Sequence, residues 1–169
     1  MGRVSMRELR TSRLVLEPQV EAHAEVMFEV LSDPAIYEYE NEPTQSLAWL
    51  RERFRKLESR ASADGSQQWL NWVVRGERDV MGYVQATVYD DSHADVAYVF
   101  ASRFWGQGFA REAVEAMLRE LRERHGTRRA VAVFKAGNDR SRRLLHRLRF
   151  EDAVAPVEPD EDAMARALP

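Results

Sequence analysis

RFWGQGFARE, residues 103–112, holds two of the chain's eight glycines, Gly106 and Gly108, one residue apart. Before it runs DVAYVFA, residues 95–101, rich in β-branched and aromatic residues. After it Ala110, Ala113, Val114, Met117, Leu118 and Leu121 recur at helical spacing. The glycines therefore lie where a strand hands over to a helix. A helix start exposes unpaired N–H groups and the positive end of its dipole. Glycine permits positive φ and close approach of a ligand to the backbone. The pair makes either a tight turn or an anion site for phosphate, with N–H donors from Gly106 through Arg111. A phosphate loop would need Gly-Lys-Ser/Thr, which is absent. A dinucleotide fingerprint would need glycine at Arg111 and an acid after the next strand, where Lys135 stands.

Working outward, RLVLE at 13–17 alternates as a first strand. Two helical stripes follow, within 20–31 and 46–57, separated by the polar and aromatic linker DPAIYEYENEPT at 33–44. WLNWVVR (69–75), VMGYVQATVY (80–89) and 95–101 read as strands of an antiparallel meander with short polar links. Beyond the glycine turn come a long helix, a short strand AVAVF (130–134) and a helix capped by Asn138 or Asp139. A strand near 150–154 and an edge strand MARAL (164–168) close the chain. This order predicts α+β (mixed α/β) architecture around a mixed, largely antiparallel sheet of about six to seven strands. Residues 1–11 read as a flexible lead-in and 12–169 as one domain.

The chain has no cysteine, which excludes disulfides, thiolate metal sites and a cysteinyl intermediate. Its four histidines are scattered without ligand spacing, so no metal is expected. A net charge of −3 argues against nucleic acid as a partner, and no apolar run is long enough to cross a membrane. With no signal-peptide core near the N-terminus, the expected compartment is the cytoplasm.

Three stretches in order resemble the GNAT superfamily of acyl-CoA-dependent N-acetyltransferases, in its RimJ/RimL-like branch. RFWGQGFARE resembles the motif Q/R-x-x-G-x-G/A, with Trp105 at the first position, Gly108 at the glycine and Ala110 at the last. NDRSRRLLHRLRF (138–150) resembles N-x-x-S-x-x-x-x-x-K-x-G-F, with Arg149 in place of the glycine. TSRLVLEP (11–18) resembles T-x-R-L-x-L-R-x. The similarity covers roughly residues 11–153.

The resemblance implies a GNAT-like sheet splayed between its fourth and fifth strands, with acetyl-CoA as cosubstrate. Val99, Phe100 and Ala101 would pair with the pantetheine arm. Gly106, Gln107, Gly108, Phe109, Ala110 and Arg111 would hold the pyrophosphate, with Asn138 and Ser141 as further CoA contacts. Arg111, Arg140, Arg142 and Arg143 are candidates for the 3′-phosphate end. The implied reaction is direct attack of an amine on the acetyl thioester. The position expected for a tyrosine acid holds Leu145, so Ser141 is the candidate proton donor. Asp95 is the candidate base, directly or through water, and His93 a weaker rival. The linker between the first two helices would line the acceptor cleft. There Tyr37, Glu38, Glu40 and Glu42 would suit a cationic amine, and Trp69, Trp72 and Gln85 would add walls. The resemblance leaves the acceptor open between a protein N-terminal amine and a small amine such as a polyamine, an amino acid or an aminoglycoside. The other function open to such a fold is a CoA-binding sensor or partner module. Proteins of this branch are often homodimers.

Overall fold

The computed structural model describes residues 4–39 and 42–169. Eight strands form one mixed sheet in the order β1-β2-β3-β4-β5-β6-β8-β7. The core of the sheet is the meander of β3 (Gln67–Arg75), β4 (Val80–Tyr89) and β5 (His93–Phe100). β2 (Val15–Pro18) and the two-residue β1 (Leu9–Arg10) flank it on one side. β6 (Arg129–Lys135), β8 (Glu161–Ala167) and the two-residue β7 (Glu151–Asp152) lie on the other. β7 falls within the strand expected near 150–154, so the short β1 accounts for the difference from the expected six to seven.

Two further expectations change. The last strand is not an edge: β8 pairs with β6 along its whole length and with β7 on its other side. Its buried Ala163 and Met164 need a covered position. The lead-in is not loose either. From Val4 onward it packs on the core, with Val4 and Met6 against it and Leu9 buried. Arg7 reaches across to Glu120, buried to 2 % exposure on the third helix, with contacts of 2.9 and 2.6 Å. A carboxylate so enclosed needs that partner.

Helices α1 (Ala24–Val30) and α2 (Leu47–Leu57) cover one face of the sheet. Ser46 caps α2 by accepting the Trp49 N–H at 3.1 Å. Helices α3 (Phe109–Arg124) and α4 (Asp139–Arg147) cover the other. α3 buries Ala113, Val114, Met117, Leu118 and Leu121, the stripe visible in the sequence. It ends where Gly126 takes φ +65°, the left-handed conformation that stops a helix. At the end of α4 the same role falls to Arg149, with φ +63°. Phe150 N–H still donates to the Leu145 carbonyl at 2.9 Å. The arginine thus preserves the backbone turn at a strain of about 1 kcal/mol.

β5 and β6 are the parallel neighbours, and they stay paired only from His93 to Asp95 against Arg129 to Val131. Beyond that β5 follows β4 to Phe100, while β6 follows β8 to Lys135. The sheet therefore splits between these strands, and α3 begins just past the split.

Candidate active site

The split opens into a cavity of about 1130 Å³ that passes through the sheet. That exceeds the roughly 300–1,000 Å³ of ordinary small-molecule pockets, room for a long ligand and a second reactant. One half lies beside α3 and α4, lined by Tyr98, Trp105, Phe109, Asn138, Ser141 and Leu144. The other lies beside α2 and the linker, lined by Tyr37, Trp49, Phe54, Tyr83 and Gln85. Six cations (Arg53, Arg111, Lys135, Arg140, Arg143 and Arg147) and two carboxylates (Glu42 and Glu161) line it, against a chain of net charge −3. The field inside favours an anionic ligand.

The turn at the cavity rim has the backbone that the glycines permit. Gly106 has φ +74° and Gly108, the N-cap of α3, φ +83°. A Cβ built on Gly106 would meet no protein atom within 4 Å. The glycine leaves open space at a helix N-terminus, which fits a phosphate cradle. Gly106, Gly108, Phe109, Ala110 and Arg111 line the cavity. Gln107 does not: its side chain donates to the Arg103 carbonyl, and its own carbonyl accepts from Arg13 Nη1 at 3.0 Å.

That last contact explains the TSRL stretch, whose role the sequence did not disclose. Arg13 also donates through Nε to Glu112 Oε2 at 2.7 Å and stacks on Phe109 at 4.4 Å. Thr11 Oγ1 and the Arg13 N–H donate to Glu112 Oε1 at 2.6 and 3.0 Å. The bend between β1 and β2 thus clamps the outside of the turn and the first turn of α3. Burial pushes the Glu112 carboxyl up, but the bonds from Thr11 and Arg13 outweigh it and hold it below its ordinary value of 4.5. A depressed carboxylate stabilises the fold at pH values above the unfolded pKa, and the gain is lost as pH falls through the folded pKa. Thermal melting followed from pH 6 down to about 3 should therefore show a shallower acid slope for Glu112→Gln than for wild type. Parallel slopes would contradict the clamp.

Along β5 the backbone alternates. Ala101 N–H donates to the Met81 carbonyl at 2.9 Å, so Ala97, Val99 and Ala101 spend their peptide groups on β4. Val96, Tyr98 and Phe100 direct theirs to the gap. Of the three residues expected to pair with pantetheine, Phe100 alone faces the gap with its backbone, and its carbonyl accepts Trp105 Nε1–H at 2.8 Å. Val99 lines the cavity, while Ala101 is buried outside it. Trp105 is held from its other side by Arg140, 3.4 Å over the ring. Arg142 turns away to Asp152 and Asp162 and leaves the cavity to Arg140, Arg143 and Arg147. Arg147 went unnoticed in the sequence, although it stands one helical turn beyond Arg143.

Asn138 accepts the Ser141 N–H at 3.1 Å and so caps α4. Ser141, buried at that first turn, lies 2.5 Å from Tyr98 Oη. This hydroxyl pair lines the cavity. Tyr98 was missed in the sequence, yet it is the polar member of an otherwise apolar row of Ala94, Val96 and Phe100.

Other expected site residues lie elsewhere. Asp95 is exposed in the still-paired part of β5, outside the cavity lining, and accepts from Tyr89 Oη at 3.0 Å. His93 stacks on Tyr89 at 4.4 Å, also outside. Trp72 is fully buried on the α3 face and donates Nε1–H to the Arg7 carbonyl at 3.0 Å. It pairs with Val84, on the opposite face of the sheet from the cavity-lining Gln85, and is core rather than wall. Trp69 bonds Gln67 and does not line the cavity. Tyr37 and Gln85 do line it. Glu38 is exposed and does not, Glu42 does, and Glu40 lies outside the described residues. Among the described residues no group of His, Asp and Glu could hold a metal ion, and no helix is long and apolar enough to cross a membrane.

A sheet split between a parallel pair, opening onto a glycine turn at a helix N-terminus, is the architecture of the GNAT acetyltransferases. The family model described as acetyltransferase (GNAT) domain matches residues 13–151, and the chain belongs to that family. It is 26% identical over 149 residues to the N-acetyltransferase p20 of Bacillus licheniformis, covering 86% of this chain and 83% of that protein. Among solved structures, the RimL ribosomal L7/L12 alpha-N-protein acetyltransferase in complex with coenzyme A superposes with a TM-score of 0.83 at 15% identity. That match covers 96% of this chain and 98% of the other. The microcin C7 self-immunity acetyltransferase MccE, in complex with acetyl-CoA and AMP, gives 0.80 at 12% identity, over 94% of each chain. The protein is an acyltransferase by family, and its fold neighbours include CoA complexes.

Proposed function

We propose that the protein moves the acetyl group of acetyl-CoA to an acceptor amine by direct attack in a ternary complex, in the manner of the RimJ/RimL-like branch. The observation that carries this reading is the through-sheet cavity: a cationic half beside the glycine turn and an aromatic half beside α2, joined at the split. The two halves let both reactants meet without a covalent relay, which a chain without cysteine could not supply through a thiol.

Acetyl-CoA supplies the activated acetyl thioester. Gly106 to Arg111 would hold its phosphates, with Arg140, Arg143 and Arg147 nearby, and the gap side of β5 would receive its arm. The acceptor amine attacks the carbonyl carbon. The C–N bond forms, the C–S bond breaks, the amine gives up a proton and the departing sulfur takes one. Ser141, in hydrogen-bond contact with Tyr98, would deliver that second proton. Glu42 is the carboxylate in the acceptor half and would hold the incoming amine and take its proton. Asp95 stays outside this chemistry in our reading, because it lies short of the split, outside the cavity lining, and bonds Tyr89.

The test is calorimetric titration of CoA and acetyl-CoA, followed by assay of CoA release with a panel of amines. Saturable binding with amine-dependent release supports the reading. Binding without release from any amine would make the protein a CoA sensor, and no binding at millimolar ligand would leave only the fold.

A further inference from the structure

On α2, Trp49, Leu50, Arg53, Phe54 and Leu57 form the stripe that lines the acceptor half of the cavity. Arg53 is the one charge in that stripe. Its neighbours on the helix are neutralised: Arg51 pairs with Glu25, and Arg55 with Glu52. Arg53 has no carboxylate within salt-bridge distance among the described residues, and its guanidinium stands 5.6 Å over the Trp49 ring. A guanidinium is a five-donor fork matched to a carboxylate, and among the described residues the fork meets no carboxylate partner.

A second, independent observation lies in the same half. Gln19 lines the cavity at 4 % exposure, and its Nε2 is buried without a hydrogen-bond partner among the described residues. An orphaned buried donor is costly, so a ligand oxygen that accepts from it would bind with a matching gain. Glu42 lines the same half with the opposite charge. The acceptor chamber thus offers one acid for an amine, and an arginine and an amide nitrogen for an oxyanion.

Resting on the transferase reading above, we infer that the acceptor is a small amine that also bears a carboxylate, of the amino-acid class. Its amino group lies toward Glu42 and its carboxylate is received by Arg53, with Gln19 donating to an acceptor oxygen. This departs from the purely cationic amine that the acidic linker suggested. A polyamine would leave Arg53 and Gln19 unmatched and set its second charge against the arginine.

The experiment measures CoA release from acetyl-CoA with α-amino acids, their carboxamides and a linear diamine, for wild type, Arg53→Gln and Arg53→Lys. The wild type should prefer the best amino acid over its carboxamide by about tenfold or more in kcat/KM. Arg53→Gln should collapse that ratio to near one, chiefly through KM, and Arg53→Lys should restore part of it. CoA affinity by calorimetry should be the same in all three proteins. A wild type that favours the carboxamide or the diamine overturns the inference and leaves the transferase reading intact. An unchanged ratio in Arg53→Gln does the same. No release with any acceptor, while CoA still binds, overturns the transferase reading and this inference with it.

Discussion

Ser141→Ala and Tyr98→Phe are each expected to lower kcat by about a hundredfold, within the usual range for loss of a general acid. The two hydroxyls are 2.5 Å apart and line the half of the cavity beside α3 and α4. A free thiol has a pKa near 8.5 and a phenol near 10, so sulfur leaving as thiolate is a poorer base than phenolate but still gains from a positioned donor. If the pair acts as one relay, either deletion breaks it. The double variant should then be no slower than the worse single one, the non-additivity of residues that work as a unit. Neither change should weaken CoA by more than about threefold, since the loss belongs to the chemical step. A Tyr98→Phe protein with wild-type kcat would remove the tyrosine from the relay. Equal losses in kcat and in CoA affinity would assign the pair to binding instead.

Gly106→Trp is expected to weaken CoA binding by about a hundredfold or more, close to 2.7 kcal/mol. The backbone there is left-handed, so any side chain brings strain, and Gly106→Ala is the control for it. No protein atom lies within 4 Å of the would-be Cβ, so the alanine needs no repacking and should lose only a few-fold in affinity. The indole, by contrast, would occupy the space in front of the α3 N-terminus where phosphate would lie. Gly108 is a less clean site for this test, because its Cβ would meet Arg13 Nη2 at 3.3 Å and disturb the clamp on Glu112. Equal loss in the alanine and tryptophan variants would trace the effect to backbone strain. Unchanged affinity in both would move the phosphates away from this turn.

The features legible in the sequence are those set by a few neighbouring residues. Ser46 and Asn138 cap their helices because a side-chain oxygen can reach an N–H three residues on. The stripe from Ala113 to Leu121 faces the core because helical spacing puts it on one side. Gly106 and Gly108 take positive φ just before α3, and glycine does so at little steric cost. The meander of β3, β4 and β5 followed from short polar links. The family resemblance, carried by the same local motifs, extended this to the split sheet.

The misplaced residues depend on distant pairing. Trp72 and Gln85 were both named as acceptor walls, but only the register of β3 on β4 decides the face, and Trp72 pairs with Val84. Asp95 had the right chemistry on the right strand, yet the last parallel pair is Asp95 with Val131, so it lies short of the split. β8 looked like an edge because nothing in its own residues tells that β7 will add beside it.

By itself the sequence determined the succession of helices and strands, the glycine turn before α3 and the absence of a cysteine nucleophile, since each is fixed by residue type and short-range geometry. The tertiary structure alone decided where β5 parts from β6 and which residues reach the opening. It brought Ser141 to Tyr98 across 43 positions and Arg13 to Glu112 across 99, and it left Arg53 lining the cavity without a carboxylate partner among the described residues. Such contacts are set by strand register and by which strand stops pairing first, and those choices are made by the whole core rather than by any one stretch of chain.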